Sequence, residues 1–147
     1  MATTANLYGN FLKTALNKEI DWDNDTIKLM LCTALTIDQD NDVYLADVAY
    51  TEASGVGYTA GGQALTFLTT TAISYNAASN TVVLDADDVS WDGSTLSNVS
   101  YGILYDDTPA TNKPLIGYLD FGGAFSTVEG SFKVIWSTSG VAALSVG

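Results

Sequence analysis

No histidine and no arginine occur in the 147 residues, and cysteine occurs once. Without histidine, the usual general base and activator of nucleophiles is missing. Without arginine, only lysine could clamp a phosphate, and no Gly-rich phosphate loop or Gly-x-Ser-x-Gly elbow accompanies it. Cys32 can form neither an internal disulfide nor a zinc cluster, and in its apolar run it reads as a small core residue. Positive charge is scarce too: five lysines (Lys13, Lys18, Lys28, Lys113, Lys133) stand against 17 carboxylates, a net charge of −12. A field of that sign repels phosphate backbones and anionic membranes, so neither nucleic acid nor membrane is an expected partner. No apolar stretch approaches the ~20 residues of a membrane helix, and no basic region followed by an apolar run marks a secretory signal.

What is present suits strands. Apolar residues make up 47% of the chain, and 12 Ser and 18 Thr fill much of the rest. A Thr-, Val- and Tyr-rich, Lys-poor composition favours sheet over helix. A length of 147 residues is that of one ordinary domain.

The spacing of Leu7, Phe11, Leu12, Ala15 and Leu16 predicts one short helix over about 5–18, capped by Thr3 or Thr4. Next comes Ile20–Thr33, IDWDNDTIKLMLCT, a turn that launches a strand with apolar residues on both faces. Residues 34–64 read as an irregular region, with a polar loop at Asp38–Asp42 and a Gly-punctuated segment, SGVGYTAGGQ. From about residue 65 onward the chain reads as strands. They lie at Leu65–Tyr75, Val82–Leu84, Val89–Trp91, Tyr101–Tyr105, Leu115–Phe121, Phe132–Trp136 and Val141–Val146, with turns at Asn76–Asn80, Asp92-Gly93 and Ser139-Gly140. The expected fold is mainly β: an antiparallel β-sandwich or barrel of seven to eight strands in a single domain.

Candidate chemistry is thin. Asp21, Asp23 and Asp25 match the first three ligand positions of a calcium loop, but Thr26 stands where glycine is needed and Cys32 where the bidentate Glu belongs. Asp38, Asp40 and Asp42 repeat the alternation and fail in the same way. Asp85, Asp87 and Asp88 could share an ion only with another loop or subunit. Aspartates shaping turns is the simpler reading, with no metal and no cofactor. A paired-carboxylate hydrolase is the one mechanism the composition permits, with Glu19, Glu52 and Glu129 as its few glutamates, and no enzymatic activity is expected. Trp22, Tyr58 and Trp91 lie near turns and are candidates for exposed anchors in an interface or a glycan site. Trp22 has a second reading, in which it and Ile20 lock the helix end onto the sheet.

The opening LYGNFLKTALNKEIDWDNDTIKLMLCT resembles that of small virion structural proteins of tailed bacteriophages, through Ile20, Asp21, Trp22, Asp25, Ile27 and Lys28. Gly57–Gly62 (GYTAGG) is similar to theirs as well. So is the pairing of Tyr105-Asp106-Asp107-Thr108 with Leu115–Asp120 (LIGYLD) across a Pro-bearing loop. The resemblance covers most of the chain in order, though not 34–52 or 121–131. It implies a non-enzymatic particle protein, made in the host bacterial cytoplasm and placed on the outer surface of the head. There it would decorate the capsid, with the major capsid protein or other virion proteins as partners and homo-oligomers possible. A tail or fibre-associated protein, with or without glycan binding, is the alternative. The 34–64 region and the N-terminal segment are the expected contact surfaces.

Overall fold

The computed structural model describes residues 3–67 and 72–147. Its strands are β1 (Thr4–Leu7), β2 (Ile27–Thr36), β3 (Ala49–Glu52), β4 (Gly55–Val56), β5 (Gln63–Ala64), β6 (Ile73–Asn76), β7 (Thr81–Leu84), β8 (Val89–Asp106), β9 (Leu115–Val134) and β10 (Ala142–Ser145). One helix, α1 (Phe11–Leu16), follows β1, and a 3-10 turn covers Leu45–Asp47. Residues 68–71, within the segment expected to be extended, lie outside the described residues.

Among the described residues the strands form two antiparallel sheets in a sandwich-like arrangement, with no closed barrel. The large sheet has seven strands in the order β1-β9-β8-β2-β3, with β4 also paired to β8 and β5 also paired to β2. The small sheet runs β10-β7-β6. Strand β2 is central, as its two apolar faces require. Ile27, Leu29 and Leu31 join one buried cluster, which also takes residues of the small sheet such as Leu84. Met30 and Cys32 join a second cluster with Tyr8, Val48, Ile103 and Tyr118. Each fully buried Leu or Ile contributes roughly 1.5–3 kcal/mol.

Three expectations are corrected. The helix is shorter than 5–18, because residues 4–7 pair with β9 (Thr4 opposite Asp120) instead of coiling. The turn after β1 is closed by Phe11 N–H donating to the Tyr8 carbonyl at 3.1 Å, and Asn10, not a threonine, is the N-cap. The helix ends in a Schellman motif. Lys18 N–H bonds Ala15 O at 3.1 Å, Glu19 N–H bonds Thr14 O at 3.0 Å, and Lys18 takes φ +64°. With only six residues, α1 buries Phe11 and Thr14 and leaves Leu12 and Leu16 exposed. The second correction concerns 34–64, which is less irregular than expected. It carries the end of β2, the 3-10 turn and β3 to β5.

The third concerns Asp92-Gly93, which does not turn the chain. It is a bulge inside the long β8, where β8 advances three residues (Trp91 to Ser94) against two on β9 (Phe132 to Gly130). Similar offsets follow on alternate strands. Leu96–Val99 carries the extra residue on β8 and Thr127–Gly130 carries it on β9, while between Asp120 and Phe125 β9 advances five residues against two on β8. These four interruptions each hold a residue of positive φ (Gly93, Asn98, Glu129 and Gly122), while a fifth, between Leu104 and Tyr105, holds none. A bulge of this kind needs the same left-handed residue as a tight turn, so Asp-Gly signals both.

Candidate functional site

The motif residues converge on one corner of the large sheet. Lys28, on β2, pairs with Asp107 at 2.6 Å, and Lys113 of the β8–β9 loop pairs with the same carboxylate. Burial pushes Asp107 up, but hydrogen bonds and charge from the two ammonium groups outweigh it and hold the carboxyl below its ordinary range. Tyr105 OH donates to the Gly61 carbonyl at 2.7 Å. Gly62, at φ +83°, lies so close to β2 that a Cβ there would overlap the Leu29 carbonyl. Glu52 accepts from Tyr58 OH at 2.9 Å and from Gly61 N–H, tying the end of β3 to the same segment.

Asp106 sits at the base of this corner with no exposed surface. Its Oδ1 accepts Thr108 N–H at 2.8 Å, while Oδ2 has no hydrogen-bond partner. Burial raises its pKa to about 6, and the neighbouring Asp25 carboxyl adds to the rise. Sequence reading does not single out Asp106. Its one signal is an acid directly following the apolar run YGILY, where the strand should still be buried.

The aspartate turn is closed on itself. Asp25 Oδ2 accepts Asp21 N–H at 2.7 Å, and Asn24 Nδ2 donates to both Asp21 carboxylate oxygens and to Asp23. The Asn24 amide, the largest influence, holds the Asp21 carboxyl below its ordinary range. Residues 38–42 build the same turn. Asp42 Oδ2 accepts Asp38 N–H at 3.1 Å, and Asn41 Nδ2 donates to both oxygens of Asp38. Asp-x-Asp-Asn-Asp is thus a turn module used twice, its acids bonded to amides. Among the described residues, no group of three or more His, Cys, Asp or Glu side chains is placed to hold a metal ion.

The aromatic candidates are not exposed anchors. Trp22 and Trp91 are 4% and 3% exposed and belong to the core. Trp22 Nε1 donates to the Asp85 carbonyl at 3.3 Å and its ring meets Phe67 edge-on at 5.3 Å. This is the locking role, set by packing between the sheets. Trp91 packs between Tyr58 and Phe132. Tyr58 is half-buried, and its OH also accepts Leu31 N–H at 3.1 Å. Burial, the largest influence, raises its pKa. The glutamates are on separate elements: Glu19 takes Tyr44 OH at 2.8 Å, Glu52 is in the corner, and Glu129 is on β9. Burial, with Glu52 adding to it, lifts the Cys32 thiol to about 12, the opposite of an activated nucleophile.

A second feature lies far from the corner. β9 is covered by β8 on one edge, but on its other edge β1 reaches only from Gly117 to Asp120. Ile116 O accepts Tyr8 N–H and Leu115 N–H bonds Val43 O, while beyond Asp120 no strand pairs with that edge among the described residues. Phe125 is 47% and Val128 81% exposed along it, and Ile135, just past its end, is 70% exposed. Sequence reading misses this surface, because alternation within Phe132–Trp136 reports a half-buried strand and not which neighbour is missing.

No protein-family model, no curated protein and no solved structure matches this chain. Among the described residues, no helix is long and apolar enough to cross a membrane.

Proposed function

We propose that the protein is a non-enzymatic bacteriophage virion structural protein that decorates and stabilises the capsid exterior through contacts with major capsid subunits. The observation that carries this reading is the convergence of the phage-like motifs. Ile20–Lys28, Gly57–Gly62, Tyr105–Thr108 and the loop leading into Leu115–Asp120 meet in one corner, where their polar groups bond one another. Such motifs specify a fold and not a reaction centre. The acidic surface suits a capsid exterior away from packaged DNA. Contacts made only in the closed shell would lower its free energy relative to separated subunits.

The test is copy number. Quantitative gel densitometry of purified particles should give hundreds of copies per virion, while a dozen or fewer would overturn decoration and point to the neck or tail tip. The tail or fibre-associated reading, with a glycan-binding role, draws on exposed Tyr75 (57%) and Tyr50 (37%), whose rings are free to stack on sugars. Saturable quenching of Tyr fluorescence by host envelope polysaccharide, lost in Tyr75→Ala, would favour it.

A further inference from the structure

We infer that the chain forms a two-fold homodimer by antiparallel pairing of the open edge of β9 with the same edge of a second copy, centred near Ser131.

Charge identifies the occupant. Between Phe121 and Ile135 the only ionisable residues are Glu129 and Lys133, one of each sign. The other 16 carboxylates and four lysines lie elsewhere, so this stretch is neutral while the remainder carries the whole −12. Two copies of so acidic a chain repel over most of their surface, and this stretch is where they meet at least cost. The two charges are also self-complementary. In an isologous contact every pairing occurs twice. A two-fold axis at Ser131 sets Glu129 of each copy across from Lys133 of the other. The present partner of Lys133 is Asp88 at 3.4 Å, a pair exposed enough to be given up or shared.

The strand itself fits. Between Gly130 and Val134 the one register offset puts its extra residue on β8 (Trp91 to Ser94), so β9 itself advances regularly after the Glu129 offset and offers a short regular segment. Its outward face is polar: Ser131 donates to Asp92 at 2.6 Å and Lys133 is exposed. Its inward face carries half-buried Phe132 and buried Val134. Pairing would continue both faces into the second copy and cover Ile135 and Val128. The left-handed residues Glu129 and Gly122 bend the edge on either side of Gly123–Val128. They limit pairing to a short closed contact instead of an open ladder. So short a strand predicts a weak, concentration-dependent dimer. The inference does not rest on the virion reading.

Sedimentation equilibrium of the full chain tests it, with Glu129→Lys and Lys133→Glu measured singly and mixed. The wild type should be a reversible dimer. Each single variant places like charges opposite each other twice and should weaken self-association by at least about tenfold. An equimolar mixture of the two variants should restore the dimer as a heterodimer. In that pair, positions 129 and 133 carry lysine in one copy and glutamate in the other, so opposite charges meet at both contacts. That restoration also shows that both variants are folded. A wild type that stays monomeric at about 0.5 mM overturns the proposal. So does a dimer that neither variant weakens, or a mixture that associates no better than its components.

Discussion

Replacing Asp106 by Asn removes a titrating proton while keeping the shape of the side chain. Asn Oδ1 can still accept Thr108 N–H, and its amide can donate toward Asp25 where Oδ2 now lacks a partner. Burial and Asp25 raise the Asp106 pKa in the fold from an ordinary 3.8 to about 6. The folded state therefore binds this proton more tightly than the unfolded chain. The stability it contributes is fully present below pH 3.8 and is lost as pH rises through 6. The gap corresponds to about 3 kcal/mol in all, of which roughly half falls between pH 5 and pH 8. Asp21, Asp92 and Asp107, all held below their ordinary range, titrate in the acid and leave this window clear. Thermal melts at pH 5, 6, 7 and 8 should show Asp106→Asn gaining on the wild type by about 3–6 °C across the series. Parallel curves, or a gap that widens toward acid, would refute the assignment of a proton-holding carboxyl to this corner.

Trp22→Ala should cost about 3–5 kcal/mol in urea denaturation, since the ring is 4% exposed and closes the joint between α1 and the sheets. Lys18→Gly should stabilise by roughly 0.5–1 kcal/mol, read as a rise in melting temperature, because Lys18 holds the left-handed position of the Schellman motif. Gly62→Ala should lower the melting temperature more than any surface substitution, since the added Cβ meets β2 backbone and not a movable side chain. Cys32 should react with a thiol reagent at the rate of global unfolding, being fully buried with its pKa raised to about 12.

Much of the fold is legible in the sequence. Strands such as Ile27–Cys32 and Tyr101–Tyr105 are apolar on both faces, and only a central strand satisfies that pattern. The helix reads too long because Leu7 and Phe11 have helical spacing yet reach the same core from a strand and from the first residue of the helix after it. Asp92-Gly93 misleads because a left-handed residue serves a bulge as well as a turn. Trp22 and Trp91 look exposed in sequence because nearness to a turn says nothing about which layer covers a side chain. The site is less legible. Asp106 depends on Asp25, on a distant part of the chain, and the open β9 edge depends on where β1 stops. Neither is a local property of the chain.

The placement of β1 has a consequence for folding order. β8 and β9 are joined by a short loop and can zip as they are made, while β1 must wait for Asp120 to be synthesised before it can pair. At typical elongation rates that interval is roughly 6–20 s. Throughout it, Leu7 and the first turn have no sheet to dock on, and β9, once made, is open along its full outer edge. The return of the first strand thus closes the longest-range pairing in the large sheet. A chaperone that acts on the nascent chain would meet the N-terminal segment, and not the long hairpin, as its longest-lived unpartnered surface.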